Sequence, residues 1–151
     1  SAVVPIFPIH PYALAKQALT AQIVAEGRFT LGVGLSHRPA VEDVMGLSYD
    51  SPARHMEEYL GVLRPLLDEV KVDFQGQFYN VKAKCHVPGA LQVPVIIAAL
   101  APMMLKIAGE QADGTPFRAP PAATALRANA APPRRLGAEM CIIVILFMID
   151  V

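Results

Sequence analysis

The sequence predicts an α/β fold built on parallel strands, and three observations carry that expectation. A helix-period segment, Pro11–Ala25, leads into a buried strand, Phe29–Val33, that ends in the loop Gly34-Leu35-Ser36-His37. An apolar β-type run, Ala2–Ile6, precedes that helix. Strand, helix and strand thus fit within about thirty residues, the size of a parallel crossover unit. A second β-branched run, Val93–Ala99, is again followed by helical sequence, Pro102–Ala112, closed by Asp113-Gly114.

Each element has its own local signals. Pro5, Pro8 and Pro11 enforce an extended loop after the first strand, and Pro11 also suits the first turn of a helix. That helix places Leu14, Ala15, Ala18, Leu19 and Ile23 on one side, and Gly27 stops it. A short helix is expected over Pro39–Met45. Asp50 or Ser51 caps the next helix, with Pro52 at its first position. Along it Met56, Tyr59, Leu60, Leu63, Leu66 and Leu67 recur at helical spacing, a core stripe. Val72–Phe74 and Phe78–Val81, separated by Gln75-Gly76-Gln77, form a hairpin, and Pro88–Pro94 is a loop.

At 151 residues the chain is sized for one domain with a real core. It is 54% hydrophobic and 17% charged, with zero formal net charge, which argues against a nucleic-acid partner. Cys85 and Cys141 stand far apart and outside any C-x-x-C, so a reducing, cytoplasmic setting is expected. No charged n-region with an apolar h-region stands in the first residues, so a secretory signal is not expected. The apolar run Cys141–Ile149 falls well short of the ~20 residues of a membrane span and reads as a strand. Composition divides the chain into residues 1–115, a Pro/Ala/Arg-rich linker-like segment at 116–140, and an apolar terminal strand at 141–151.

If the strands belong to an α/β barrel, three strand ends face one mouth: Pro5-Ile6-Phe7, Gly34-Leu35-Ser36-His37 and Ala98-Ala99-Leu100-Ala101. Glycines at 32 and 34 let a planar or phosphorylated ligand approach the backbone. The pair lacks the third glycine of a dinucleotide fingerprint. His37 is the best polar candidate, able to shuttle a proton near neutral pH; its plain alternative is a surface histidine beside Arg38. Ser36 could bond a ligand or cap the following helix. Ala98, Ala99 and Ala101 leave room for a flat ring, and would equally serve strand-to-helix packing. His10, His55 and His86 are expected to be structural or exposed, and no metal-ligand spacing is present. Arg54 and His55, at the start of the long helix, could reach the mouth or bind a phosphate, with exposed helix polarity as the plainer reading. Glu57, Glu58, Asp68 and Glu69 are expected to be solvated. No G-x-S-x-G, P-loop or nucleophile triad occurs.

The order and spacing of Gly27–Pro39, the Ala53–Leu67 helix and Val95–Thr115 (VIIAALAPMMLKIAGEQADGT) resemble the bacterial luciferase-like flavin and deazaflavin oxidoreductases, above all the coenzyme-F420-dependent branch. The resemblance covers residues 1–115. It implies a partial luciferase-like TIM barrel of about four βα units with a small β-hairpin insertion, because a whole barrel needs ~250 residues. It implies hydride transfer between F420, or alternatively FMN, and a small organic substrate, or reaction with oxygen in the monooxygenase branch. Phe7, Gly34, Leu35, Ser36, Ala98, Ala99, Leu100 and Ala101 would then line the cofactor ring, with His37 near its reactive edge. The family would continue after Asp113-Gly114 with another strand and a cofactor phosphate loop, which residues 116–151 do not match. Open strand edges predict a homo-oligomer, weak cofactor binding and negligible turnover. The rival readings are a non-catalytic flavin-binding or structural half-barrel and, more remotely, an α/β hydrolase or transferase.

Overall fold

The structure, a computed structural model, describes residues 3–115. Three strands, β1 (Val4–Pro5), β2 (Leu31–Gly34) and β5 (Val95–Ile97), form a parallel sheet in the order β1-β2-β5. Helix α1 (Pro11–Val24) connects the first two, and α2 (Pro52–Asp68) lies between the second and third. After α2 the chain makes an antiparallel hairpin of β3 (Lys71–Gln75) and β4 (Asn80–Lys84). Helix α3 (Pro102–Gln111) follows β5. Beyond it Gly114 makes an isolated parallel bridge to Ile96. This is the expected run of parallel βα units with its hairpin insertion; the sheet is open among the described residues. The linker-like segment and the apolar terminal strand expected at 116–151 lie outside the described residues.

The helices bury one face of the sheet. Side chains alternate along a strand, so Leu31, Val33, Val95 and Ile97 share a face, continued by Ile6 and Ala99. These six join Leu14, Ala15, Met56, Leu63 and Ile107 in one core. All six stripe residues expected on α2 are in that core. On α3 the buried set is Met104, Ile107 and Ala108. The opposite face of the sheet carries Pro5, Gly32, Gly34, Ile96 and Ala98, and Pro5, Ile96 and Ala98 are only half-buried.

Several expected boundaries move, each for a local reason. Strand β2 begins at Leu31 rather than Phe29, because the Phe29 N–H donates to the Gln22 side chain (2.8 Å) instead of a strand. Gln22 itself is buried on α1 and also donates to the Gln92 carbonyl, so it, and not Ile23, occupies the inner side; Ile23 is exposed. Strand β5 is confined to Val95–Ile97; Pro94 has no N–H and enters the pairing only as acceptor of the Leu31 N–H. The helix expected at Pro39–Met45 is a π-helical turn, Ala40–Val44. The cap expected at Asp50 or Ser51 is not made by a side chain: Ser51 holds φ +44° with no capping bond, while Asp50 bonds Ser48. Helix α1, in contrast, is capped by the His10 side chain, which accepts from the Tyr12 N–H (3.2 Å). Asp113 ties the far end of the fold together. Its carboxylate accepts from the Val95 N–H (2.8 Å) and pairs with Arg64 of α2 (2.7 Å).

Candidate functional site

Parallel register brings the candidate strand ends side by side. The Ile6 N–H donates to the Gly34 carbonyl (3.0 Å), and the Ala98 N–H to the Val33 carbonyl (2.9 Å). Phe7, Gly34–His37 and Ala98–Ala101 therefore leave the sheet at one end, as the sequence suggested. Gly34 and Ala99 are buried, Phe7, Leu35 and Ala98 half-buried, and Ser36, His37, Leu100 and Ala101 exposed. A Cβ on Gly34 would meet Val3 Cγ1 at 2.7 Å and the Ala98 Cβ at 3.2 Å. The glycine thus lets three strands close up as well as keeping the surface low.

Ser36 adopts φ +63°, a left-handed conformation disfavoured for a residue with a Cβ by about 1–2 kcal/mol. The following turn holds it: Tyr49 Oη donates to the Ser36 carbonyl (3.2 Å), and the Val41 N–H donates to the His37 carbonyl (3.1 Å). The side chain of His37 makes no hydrogen bond among the described residues. Arg38 lies over the Tyr49 ring (5.1 Å) and pairs with Glu42 (2.7 Å).

Beside these strand ends lies an aromatic cluster that sequence reasoning missed. Phe7 packs against Tyr49 (ring centroids 5.1 Å apart) and against His55 of α2 (4.6 Å). Phe78 stacks on His55 at 4.6 Å with ring planes 19° apart. His55 Nε2 lies 2.7 Å from Tyr79 Oη. His55 is therefore half-buried inside a ring cluster next to Phe7, neither simply exposed nor part of the sealed core. Burial lowers its pKa, and the nearby Glu58 charge only partly offsets this. Burial, with the Glu58 charge added, pushes the Tyr79 phenol up to about 12. Both groups are neutral near pH 7.

Glu58 corrects the expectation of a solvated acid. It is buried, and its carboxylate accepts from the backbone N–H groups of Gln77 (3.0 Å), Phe78 (2.7 Å) and Tyr79 (3.4 Å), and from Arg54 Nε (3.2 Å). Burial works to raise its pKa, but the bonds from Phe78, Gln77, Arg54 and Tyr79 outweigh it, and the carboxyl titrates below its usual range. The same contacts explain the hairpin. Phe78 and Tyr79 sit in the turn rather than in the second strand, since their N–H groups go to Glu58. A Cβ on Gly76 would strike the Glu58 carboxylate and the Phe74 ring. A glycine in the turn was the one available signal. Glu57 and Glu69 are exposed as expected. Asp68 is held by Arg64 (3.2 Å) and its pKa is raised by burial. Among the described residues no group of three or more His, Cys, Asp or Glu side chains could hold a metal ion. No helix of the described residues is long and apolar enough to cross a membrane.

Comparison with known proteins agrees with this geometry. The profile of the luciferase-like monooxygenase family matches residues 1–134. An uncharacterized protein of Mycobacterium tuberculosis is 33% identical over 117 residues, covering 72% of this chain and 34% of that protein. The F420-dependent glucose-6-phosphate dehydrogenase of Amycolatopsis mediterranei is 30% identical over 118 residues, covering 76% of this chain and 35% of the enzyme. The coenzyme F420 dependent tetrahydromethanopterin reductase of Methanopyrus kandleri superposes with a TM-score of 0.63 at 24% identity, over 76% of this chain and 38% of that one. An F420-dependent secondary alcohol dehydrogenase, solved with an F420-acetone adduct, gives 0.62 at 23% identity, over 76% and 36%. The chain thus spans about a third of the length of the relatives it matches, and its open sheet is a section of their barrel. With the family profile running through both the parallel sheet and the strand-end loops, the chain belongs to the luciferase-like monooxygenase family.

Proposed function

We propose that the strand ends of this sheet form the cofactor side of an F420-dependent oxidoreductase site, with FMN as the alternative cofactor. The observation that carries the reading is the convergence of Phe7, Gly34–His37 and Ala98–Ala101 at one end of three parallel strands. The donor set fits a flat ring. The outward face there is built of glycine backbone and the Ala98 methyl, flanked by the half-buried side chains of Phe7 and Leu35. When bound, the deazaflavin or flavin would supply the hydride-accepting or hydride-donating ring.

The chain's own residues would position and shield. Gly34, Leu35 and Ala98 provide the floor, Leu100 and Ala101 the exposed rim, and Ser36, fixed in its left-handed turn, a hydroxyl beside it, whereas Ala99, expected at the ring, is turned into the core beneath the helices. His37, exposed at the strand end, would hold or release the substrate proton. The substrate is a small organic molecule. The open sheet, in which β1 has one partner among the described residues, favours a homo-oligomer, and the cytoplasm is the proposed location. The same openness admits water and supports a second reading, a half-barrel that binds a flavin without turnover.

Titration of F420 and FMN, followed by deazaflavin and flavin fluorescence, tests the binding claim. Hydride-transfer assays with reduced cofactor then separate the two readings. Saturable binding of either cofactor, weakened by Ala98→Phe, is expected; absence of binding to the folded protein would refute both.

A further inference from the structure

We propose that the outer edge of β3 is a self-pairing surface, through which a second copy of this chain joins its hairpin to this one in a continuous antiparallel sheet. The inference concerns an interface and stands independently of the cofactor reading above.

The hairpin's own bonding leaves that edge open. The Cys85 N–H donates to the Val70 carbonyl (2.8 Å), and the Gly76 N–H to the Tyr79 carbonyl (2.8 Å). Hydrogen-bonded and non-bonded pairs alternate along an antiparallel ladder, so Val72–Ala83 and Phe74–Val81 are the bonded pairs between those two. Lys71, Asp73 and Gln75 therefore turn their N–H and carbonyl groups away from β4. No further strand pairs with the hairpin among the described residues, and these residues are exposed. A groove of about 660 Å³ separates Gly61 and Pro65 of α2 from Lys71, Val72 and Asp73, so the helix stands off from the strand there.

Charge selects the occupant. A lysine on an edge strand ordinarily discourages pairing. Here Asp73 follows Lys71 on the same face of the strand, so the edge carries one charge of each sign and complements itself. Across the hairpin Lys71 faces Lys84, and neither has an ion-pair partner among the described residues, whereas Asp73 is matched by Lys82 (2.7 Å). Lys71 is the cation left without a carboxylate.

Charge also selects the register. A two-fold axis at Val72 sets Lys71 opposite the partner's Asp73 and Asp73 opposite the partner's Lys71. The outward N–H and carbonyl groups of both residues then meet their counterparts on the second copy. A register displaced by two residues sets Asp73 against the partner's Asp73, a like-charge pair that opposes association. A displacement by one brings the groups already bonded to β4 to the wrong edge. An isolated two-stranded hairpin is also marginal by itself and gains from added strands.

Sedimentation velocity over a concentration series, with amide hydrogen exchange on the same samples, tests this in the intact chain. Dimers should form as concentration rises, and the Lys71 and Asp73 amides should become protected in step. Lys71→Asp should weaken the dimer about tenfold or more, because both intersubunit pairs become like-charged. Within the hairpin that variant replaces the Lys71–Lys84 repulsion by an attraction, so melting of the hairpin does not explain its effect. Adding Asp73→Lys restores opposite charges between the copies and should recover most of the lost affinity. A monomer throughout, a dimer indifferent to Lys71→Asp, or a double variant as weak as the single would overturn the proposal. Protection of these amides that persists on dilution would overturn it too, as the sign of another segment or a bound peptide covering the edge.

Discussion

Replacing Glu58 by glutamine should cost this fold a large share of its stability, although the side chain barely changes shape. The two carboxylate oxygens divide the work. Oε1 accepts from Gln77 N–H and Arg54, and Oε2 from Phe78 and Tyr79 N–H. A glutamine has only one acceptor oxygen. Whichever way the amide turns, its NH2 group faces at least one backbone donor that had been satisfied. A buried donor left without a partner costs about 1–3 kcal/mol. The exposed Arg54 bridge adds at most about 1 kcal/mol. A total loss of about 1–4 kcal/mol follows, against a whole-domain stability of about 5–15 kcal/mol. Urea denaturation followed by near-ultraviolet circular dichroism measures it.

The pH dependence gives an independent check. Because the folded Glu58 pKa is depressed, its contribution is fully present above the ordinary glutamate value of 4.5 and is lost as pH falls through the lower folded value. Glu58→Gln should lack that acid-side slope. A loss below about 0.5 kcal/mol, within the range of an ordinary surface change, would refute the argument, as would an unchanged acid slope in the variant.

Other positions give sharper local tests. Gly34→Ala places a methyl against Val3 and Ala98 and should destabilise by about 1–3 kcal/mol through overpacking, read by thermal unfolding. His37→Gln should leave the unfolding midpoint unchanged, because its side chain has no partner among the described residues. The same variant should lower any cofactor-dependent hydride transfer by about 10²–10⁴-fold, measured by stopped-flow absorbance. Val70 holds φ +66°, a strained conformation for a β-branched residue, so Val70→Asn should stabilise by about 1 kcal/mol in urea denaturation.

Much of the sheet was readable from the sequence because its signals are local. Proline, glycine and β-branched runs mark Val4–Pro5, Leu31–Gly34 and Val95–Ile97, and the apolar stripe of α2 is a matter of spacing alone. The strand-end loops follow from that alternation, so Phe7, Gly34 and Ala98 lie at the same end of the parallel sheet. What escaped notice depends on partners distant in sequence. Glu58 reads as a solvated helix acid until the hairpin folds back over it, and the amide of Gln22 is satisfied only by Phe29 and the distant Gln92. The ring cluster draws Phe7, Tyr49, His55 and Phe78 from four separate segments, and no single window of sequence contains it.

The central claim is that the cofactor lies on the strand ends, and mapping backbone amide shifts on addition of F420 tests it most directly. The account predicts that the largest changes fall on Leu35–His37 and Ala98–Ala101, with smaller ones at Phe7, and that they saturate together as one weak site. Shifts confined instead to the outer cleft between α2, the hairpin and α3, around Arg54, Gly61, Met103 and Lys106, or no shifts in a protein shown to be folded, would contradict it.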